Sequence, residues 1–215
     1  MHYQKYSKDS FLVNLIKNPI LVHYAFAIIG IIALASFWPA YFDFIELRNG
    51  TKLEDHLLYL LPAADISTYI FIILYGSLVI GFVSVYNQPL IILGILYTYI
   101  AVTALRILSI YLLPLEPPIG YQPLLDPFVA MFTTDGKIVS KDLFFSGHIS
   151  TVCAMYYWVP NGMVKKILTI LITLLAIGLL IQHVHYTIDI LAGIILTALV
   201  ALGVRHLLRF ALLKK

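Results

Sequence analysis

The sequence predicts an all-α membrane protein, a bundle of six transmembrane helices with both termini on the cytoplasmic side. Of 215 residues, 61% are hydrophobic and 12% charged, where soluble domains carry about 45–50% and about 25%. Six apolar runs approach the roughly 20 residues that a helix needs to cross a hydrocarbon core of about 30 Å. None alternates with the period of two that marks a barrel strand, and a backbone in lipid must satisfy its hydrogen bonds as a helix or a closed barrel.

The first run, Ile20–Phe42, follows a polar segment carrying Lys5, Lys8 and Lys17. It is long enough to span, so it reads as a retained anchor rather than a cleaved leader. The second is Ile66–Val85. Asn87-Gln88-Pro89 turns the chain into the third, Leu90–Leu113. The fourth, Leu143–Val159, is short and stops at Pro160-Asn161-Gly162, a strong turn signal. The fifth is Val164–Gln182 and the sixth Tyr186–Phe210. The expected organisation is a cytoplasmic segment 1–19, a catalytic membrane domain 20–210 and a basic tail 211–215. Neither terminus carries a lipidation motif.

Basic residues orient the bundle. Lys5, Lys8, Lys17, Lys165, Lys166, Arg205, Arg209, Lys214 and Lys215 fall on one side, and Arg48, Lys52, Lys137 and Lys141 on the other. The richer side is expected to be cytoplasmic. The loops 43–65 and 114–142 then face outward, with the short turn 182–185. Loop 114–142 is too long for a simple connection, and loops of that length are often functional. Its prolines, Pro114, Pro117, Pro118, Pro123 and Pro127, suit a rigid cap over the helix ends, a wall of a substrate pocket, or both. A net charge of +3 without a clustered basic face argues against nucleic acid as a partner. The lone Cys153 excludes an internal disulfide and a cysteine-rich metal cage; it reads as a buried, inert thiol.

Ionisable residues at membrane depth are costly and mark function by default. Arg106 lies in the third run, His148 in the fourth, and His183, His185 and Asp189 at the start of the sixth, all near the outer end. His185 and Asp189 are four apart, which on a helix places them on one face. A carboxylate holding the Nδ1 proton leaves Nε2 as nucleophile or base. With His148 from another helix, the pair supplies one nucleophile and one proton donor, the minimum for displacing an alkoxide from phosphorus. Arg106 suits the phosphoryl oxygens, and Ser146 and the Gly147 backbone add donors beside His148. Singly, each residue has a plain structural role: a histidine as an interhelical hydrogen bonder, Arg106 snorkelling to the interface, Asp189 as a local partner, His183 on the rim. Convergence of three runs on one face favours chemistry.

Two stretches carry a family resemblance. Lys141-Asp142-Leu143-Phe144-Phe145-Ser146-Gly147-His148 resembles the second motif of the type 2 phosphatidic acid phosphatase (PAP2) superfamily, and His185-Tyr186-Thr187-Ile188-Asp189 its third. The likeness is nearer to the sphingomyelin synthase branch, which is similar around both motifs and around Arg106 and Pro114. The resemblance implies His185 as the phosphoryl-accepting nucleophile, Asp189 orienting it, His148 protonating the leaving oxygen, and no metal or other cofactor. The phosphatase's first motif is absent, and Leu179 stands where its third motif has an arginine. Both departures occur in the synthase branch too; they leave the phosphate contacts to Arg106, with Lys141 or His183.

The expected activity is a lipid phosphatase or phosphotransferase acting on a phospholipid or lipid phosphate at the outer face, which for a bacterial protein is the periplasmic face of the inner membrane. Water as acceptor makes it a hydrolase; a ceramide-like or diacylglycerol acceptor makes it a transferase. The rival reading is a metal-binding membrane protein or transporter that uses His148, His183, His185 and Asp189 as ligands.

Overall fold

The computed structural model describes residues 19–124 and 138–213. Seven helices form among them: α1 (Pro19–Glu46), α2 (His56–Leu60), α3 (Ser67–Val85), α4 (Pro89–Leu112), α5 (Gly147–Trp158), α6 (Met163–Ile181) and α7 (Thr187–Leu213). α1, α3, α4, α6 and α7 are long and apolar enough to cross a membrane, which makes this an integral membrane protein by composition and length. Their bounds follow local chemistry. α4 starts on Pro89, whose missing N–H has no acceptor in a first turn anyway. α1 continues past Phe42 to Glu46 because Tyr41, Phe42 and Ile45 pack with Ile110 of α4. Pro39 sits inside α1, as membrane helices tolerate.

The fourth expected span departs from the sequence reading. Its helix, α5, has only 12 residues, about 18 Å of rise, and does not reach the length of a membrane crossing. Leu143–Ser146 is irregular backbone, although it is apolar and largely buried. Several of its polar groups have partners inside the protein: Ser109 Oγ donates to Phe144 O at 3.0 Å, Arg106 Nε donates to Phe145 O at 2.8 Å, and Ser146 N donates to Asp189 O at 3.1 Å. Irregular backbone survives at membrane depth only with such protein partners.

α5 is the hub of the bundle. It packs against α3, α4, α6 and α7, and Ile149, Ser150 and Val152 through Met155 are buried, so nearly every face of the helix is covered. A helix apolar all round belongs inside a larger assembly. α1 is the opposite case: it packs on α4, and few of its apolar residues are buried.

The ends of α1 and α4 and the starts of α3, α5 and α7 meet at one end of the bundle, where the loops tie together. Thr51 N donates to Pro114 O at 2.8 Å and Glu116 N to Thr51 O at 3.0 Å. Glu46, closing α1, accepts from Ser140 N and Lys141 N at 2.7 Å each and from Ser140 Oγ at 2.9 Å. Arg48, Lys52 and Lys141 lie at this end, and Lys165, Lys166, Arg205 and Arg209 at the other. Lys5, Lys8, Lys17, Pro127, Lys137, Lys214 and Lys215, used in the sequence reading, lie outside the described residues.

Candidate active site

Two helix starts build the site, and each is held by its own sequence. α5 begins at Gly147 after Ser146, whose Oγ accepts from Ile149 N at 3.5 Å. The amides of the first turn have no intrahelical acceptor, so Gly147 and His148 carry the positive end of the helix dipole. α7 begins at Thr187, so His185 precedes the helix rather than riding on it. The pairing with Asp189 survives because Asp189 reaches back over the first turn. Its Oδ2 accepts from Tyr186 N at 2.9 Å and stands 3.5 Å from His185 Nδ1. The carboxylate therefore caps the helix as the third residue of a capping box does and faces the imidazole at ion-pair distance. His185 is 3% exposed and Asp189 fully buried.

Opposite, the His148 ring meets the His185 ring edge to face, with centroids 6.0 Å apart. The two motifs are tied to each other by the bond from Ser146 N to Asp189 O. Arg106 enters from α4. Nε is bound to Phe145 O, Nη2 lies 2.6 Å from Asp142 Oδ1, and the guanidinium sits over Trp38 at 5.7 Å. Nη1 has no hydrogen-bond partner among the described residues. It lies so close to Gly147 that a Cβ there would come within 2.6 Å of it; only glycine admits the arginine. Arg106, Asp142, Gly147 and His148 stand at the head of a cavity of about 300 Å³ bounded by α1, α3, α4 and α5.

The structure thus brings His148, His185, Asp189, Arg106, Ser146 and Gly147 together. It places Lys141 and His183 in other engagements. Lys141 Nζ lies 2.6 Å from Arg48 O and 3.0 Å from Glu116 Oε1. Glu116 is held below the ordinary carboxylate range by the Gly50 amide first and by Lys141 next, against a smaller opposing effect of burial. His183, with φ of 52°, turns its ring away from His185: Nδ1 faces Ile119 O at 2.6 Å and Nε2 faces Leu61 O at 3.2 Å. Among the described residues, no three of His, Cys, Asp and Glu stand together as a metal site, so the ligand set of the transporter reading does not converge.

Three residues with no role in the sequence reading support the site. Asp142 is the counter-ion of Arg106. Glu46 holds the strand of chain that presents Asp142. Asp55 receives Thr187 N at 2.6 Å and Thr187 Oγ1 at 3.0 Å, and so fixes the first residue of α7. Burial pushes the Asp55 carboxyl up, but the bonds from Thr187, Leu58 and Leu57 outweigh it and hold the group below its ordinary value. On the loop above, burial together with the charges of Glu46 and Asp142 pushes the Tyr121 phenol up to about 12. Asp142 was visible in the motif itself; Glu46 and Asp55 left no local signal.

Residues 141–207 match the family model described as PAP2 superfamily C-terminal. The matched segment is about a third of the chain and contains both histidine motifs, α5, α6 and most of α7, and it supports a relationship to that superfamily. Searches of the curated proteins and of the solved structures found no match to the chain.

Proposed function

We propose that this protein is a membrane-embedded enzyme that takes the phosphoryl group of a lipid onto His185. The observation that carries the reading is the pair of imidazoles, His148 and His185, facing each other 6.0 Å apart beside a buried arginine. That spacing leaves room for a phosphorus between a nucleophile and a proton donor, each within the roughly 3 Å of a near-attack geometry. The family match over both motifs supports the same chemistry.

In the first step His185 Nε2 attacks phosphorus, an N–P bond forms, and the bond from phosphorus to the lipid oxygen breaks. His148 delivers its proton to that oxygen, and a lipid alcohol leaves. Asp189 balances the positive charge that His185 acquires. Arg106 Nη1 and the first amides of α5 hold the non-bridging oxygens, a combination of fixed charge and helix dipole suited to anions. In the second step an acceptor hydroxyl attacks phosphorus, returns its proton to His148 and frees His185. Water as acceptor gives a phosphatase or phospholipase C; a ceramide or diacylglycerol hydroxyl gives a transferase, as in the branch that the motifs resemble. Lys141 and His183, engaged by backbone carbonyls and Glu116, hold the wall rather than the phosphate. The six-pass topology with the site at the outer face belongs to this proposal, with α5 as a short buried pass. So does independence from metals.

The test follows labelled phosphorus in mixed micelles containing chelator, labelled phosphatidate, headgroup-labelled phosphatidylcholine and ceramide. Wild type should move label to free phosphate, phosphocholine or a new lipid, and His185→Ala should move none. Retained turnover in His185→Ala would remove the nucleophile, and activity lost to the chelator would bring back the metal reading.

A further inference from the structure

The cavity below Arg106 is chemically one-sided. Arg106, Asp142 and His148 stand at its head, and among the described residues no charged side chain lines the rest. Its far end is formed by Ile31, Leu78 and Tyr99. Tyr99 is seven residues below Arg106 on α4, about 10 Å along the helix. The Thr151 hydroxyl, also in the wall, is spent on Gly147 O at 2.8 Å. α1 and α3 both line the cavity, yet α1 packs on α4 and not closely on α3. Among the described residues the wall between α1 and α3 is therefore unsealed.

We infer that this cavity holds one hydrocarbon chain of the lipid whose phosphate is at the histidines, while any second chain stays in the bilayer beside the α1–α3 opening. The inference rests on the functional reading above and adds what the site selects. Below its head the cavity offers a headgroup no counter-charge, so the headgroup lies on the other side of the phosphorus. The volume sets the length. A methylene takes about the 30 Å³ that a water occupies in the liquid, so a cavity of about 300 Å³ suits roughly ten carbons of one chain. Leu78, Tyr99 and Ile31 act as the ruler.

The test uses saturated lysophosphatidates of increasing chain length in mixed micelles, and a dodecyl lysophosphatidate with a diazirine at the end of its chain. On irradiation of His185→Ala, label is expected around Ile31, Leu78 and Tyr99. Leu78→Trp, which fills the far end, should strongly reduce that labelling. Wild-type turnover should peak near chains of about ten to twelve carbons, and Leu78→Trp should shift the peak shorter by about two. Ile31→Trp, on the helix with least packing to lose, should do the same and stands in if Leu78→Trp does not fold. Label confined to outward positions such as Ile28 and Phe82, or a chain preference that neither variant moves, overturns the inference. Cavity labelling without turnover of any lipid would sink the functional reading alone; turnover without cavity labelling would sink the chain pocket alone.

Discussion

Gly147→Ala tests the site where its geometry is tightest. A Cβ at Gly147 would lie 2.6 Å from Nη1, 2.7 Å from Cζ and 2.9 Å from Nη2 of Arg106. Non-bonded heavy atoms settle at about 3.5–4.0 Å, so the guanidinium must withdraw by roughly 1 Å. It cannot do so freely, because Nε is bound to Phe145 O at 2.8 Å and Nη2 to Asp142 at 2.6 Å. Withdrawal takes one of these beyond the useful limit of about 3.2 Å, and a hydrogen bond to a charged group is worth about 1.5–3 kcal/mol. The same displacement carries Nη1 off the proposed phosphate position, and a misplacement of about 1 Å costs on the order of 100-fold in rate. Gly147→Ala should therefore lower both thermal stability and kcat/KM for the labelled lipid, the latter by about 100-fold. Gly76→Ala is the control: it is a helical glycine with nothing within 4 Å of the added carbon, and it should keep full activity and gain up to about 1 kcal/mol. A Gly147→Ala protein as active as wild type would refute the placement of Arg106 at the phosphate.

Asp55→Asn should destabilise the protein at neutral pH. Because the folded carboxyl titrates below its ordinary 3.8, its stabilising effect is present above that value and lost as pH falls through the folded pKa. Melting curves of wild type and variant should therefore converge as the pH falls below 3.8 and through the folded pKa, and a constant gap would deny the cap. Glu46→Ala removes the acceptor of three bonds to Ser140 and Lys141. It should reduce turnover more than a comparable surface change does, by loosening Asp142; unaltered kinetics would show that Asp142 needs no such support. Arg106→Met alone should destabilise, while Arg106→Met with Asp142→Leu should recover wild-type stability or exceed it without activity; calorimetry that shows the double variant as damaged as the single would contradict this.

Much of the scaffold is legible because hydropathy and turn residues report directly on membrane helices. The expected runs 66–85, 90–113 and 164–182 differ from α3, α4 and α6 by no more than a residue at either end. α5 was misjudged at its start because Leu143, Phe144 and Phe145 are as apolar as a helix interior. Composition does not distinguish a buried loop from a buried helix; the distinction comes from Ser109, Arg106 and Asp189, which take up the loop's polar groups. The pairing of His185 with Asp189 was readable from spacing, though the helix that motivated it starts two residues later. What could not be read were partners distant in sequence: Asp142 lies 36 residues from Arg106, Lys141 lies 95 from Glu46, and Thr187 lies 132 from Asp55. No local pattern encodes such pairs.

Energetics separate chemistry from architecture at the head of the cavity. Arg106 with Asp142, and His185 with Asp189, withdraw ionisable groups from water. A buried ion pair seldom stabilises a protein beyond what apolar side chains of similar volume achieve, and replacing such a pair is often neutral or favourable by about 1–4 kcal/mol. α5 itself shows the cheaper solution: its other buried faces are closed by Val152, Cys153, Ala154 and Met155. A bundle selected for packing alone would extend that pattern up to Gly147. It instead gives up helix at Leu143–Ser146, keeps a glycine under an arginine, and turns two imidazoles towards each other. Each feature costs stability and none repairs another, but all of them suit the proposed transfer of an anionic, tetrahedral group.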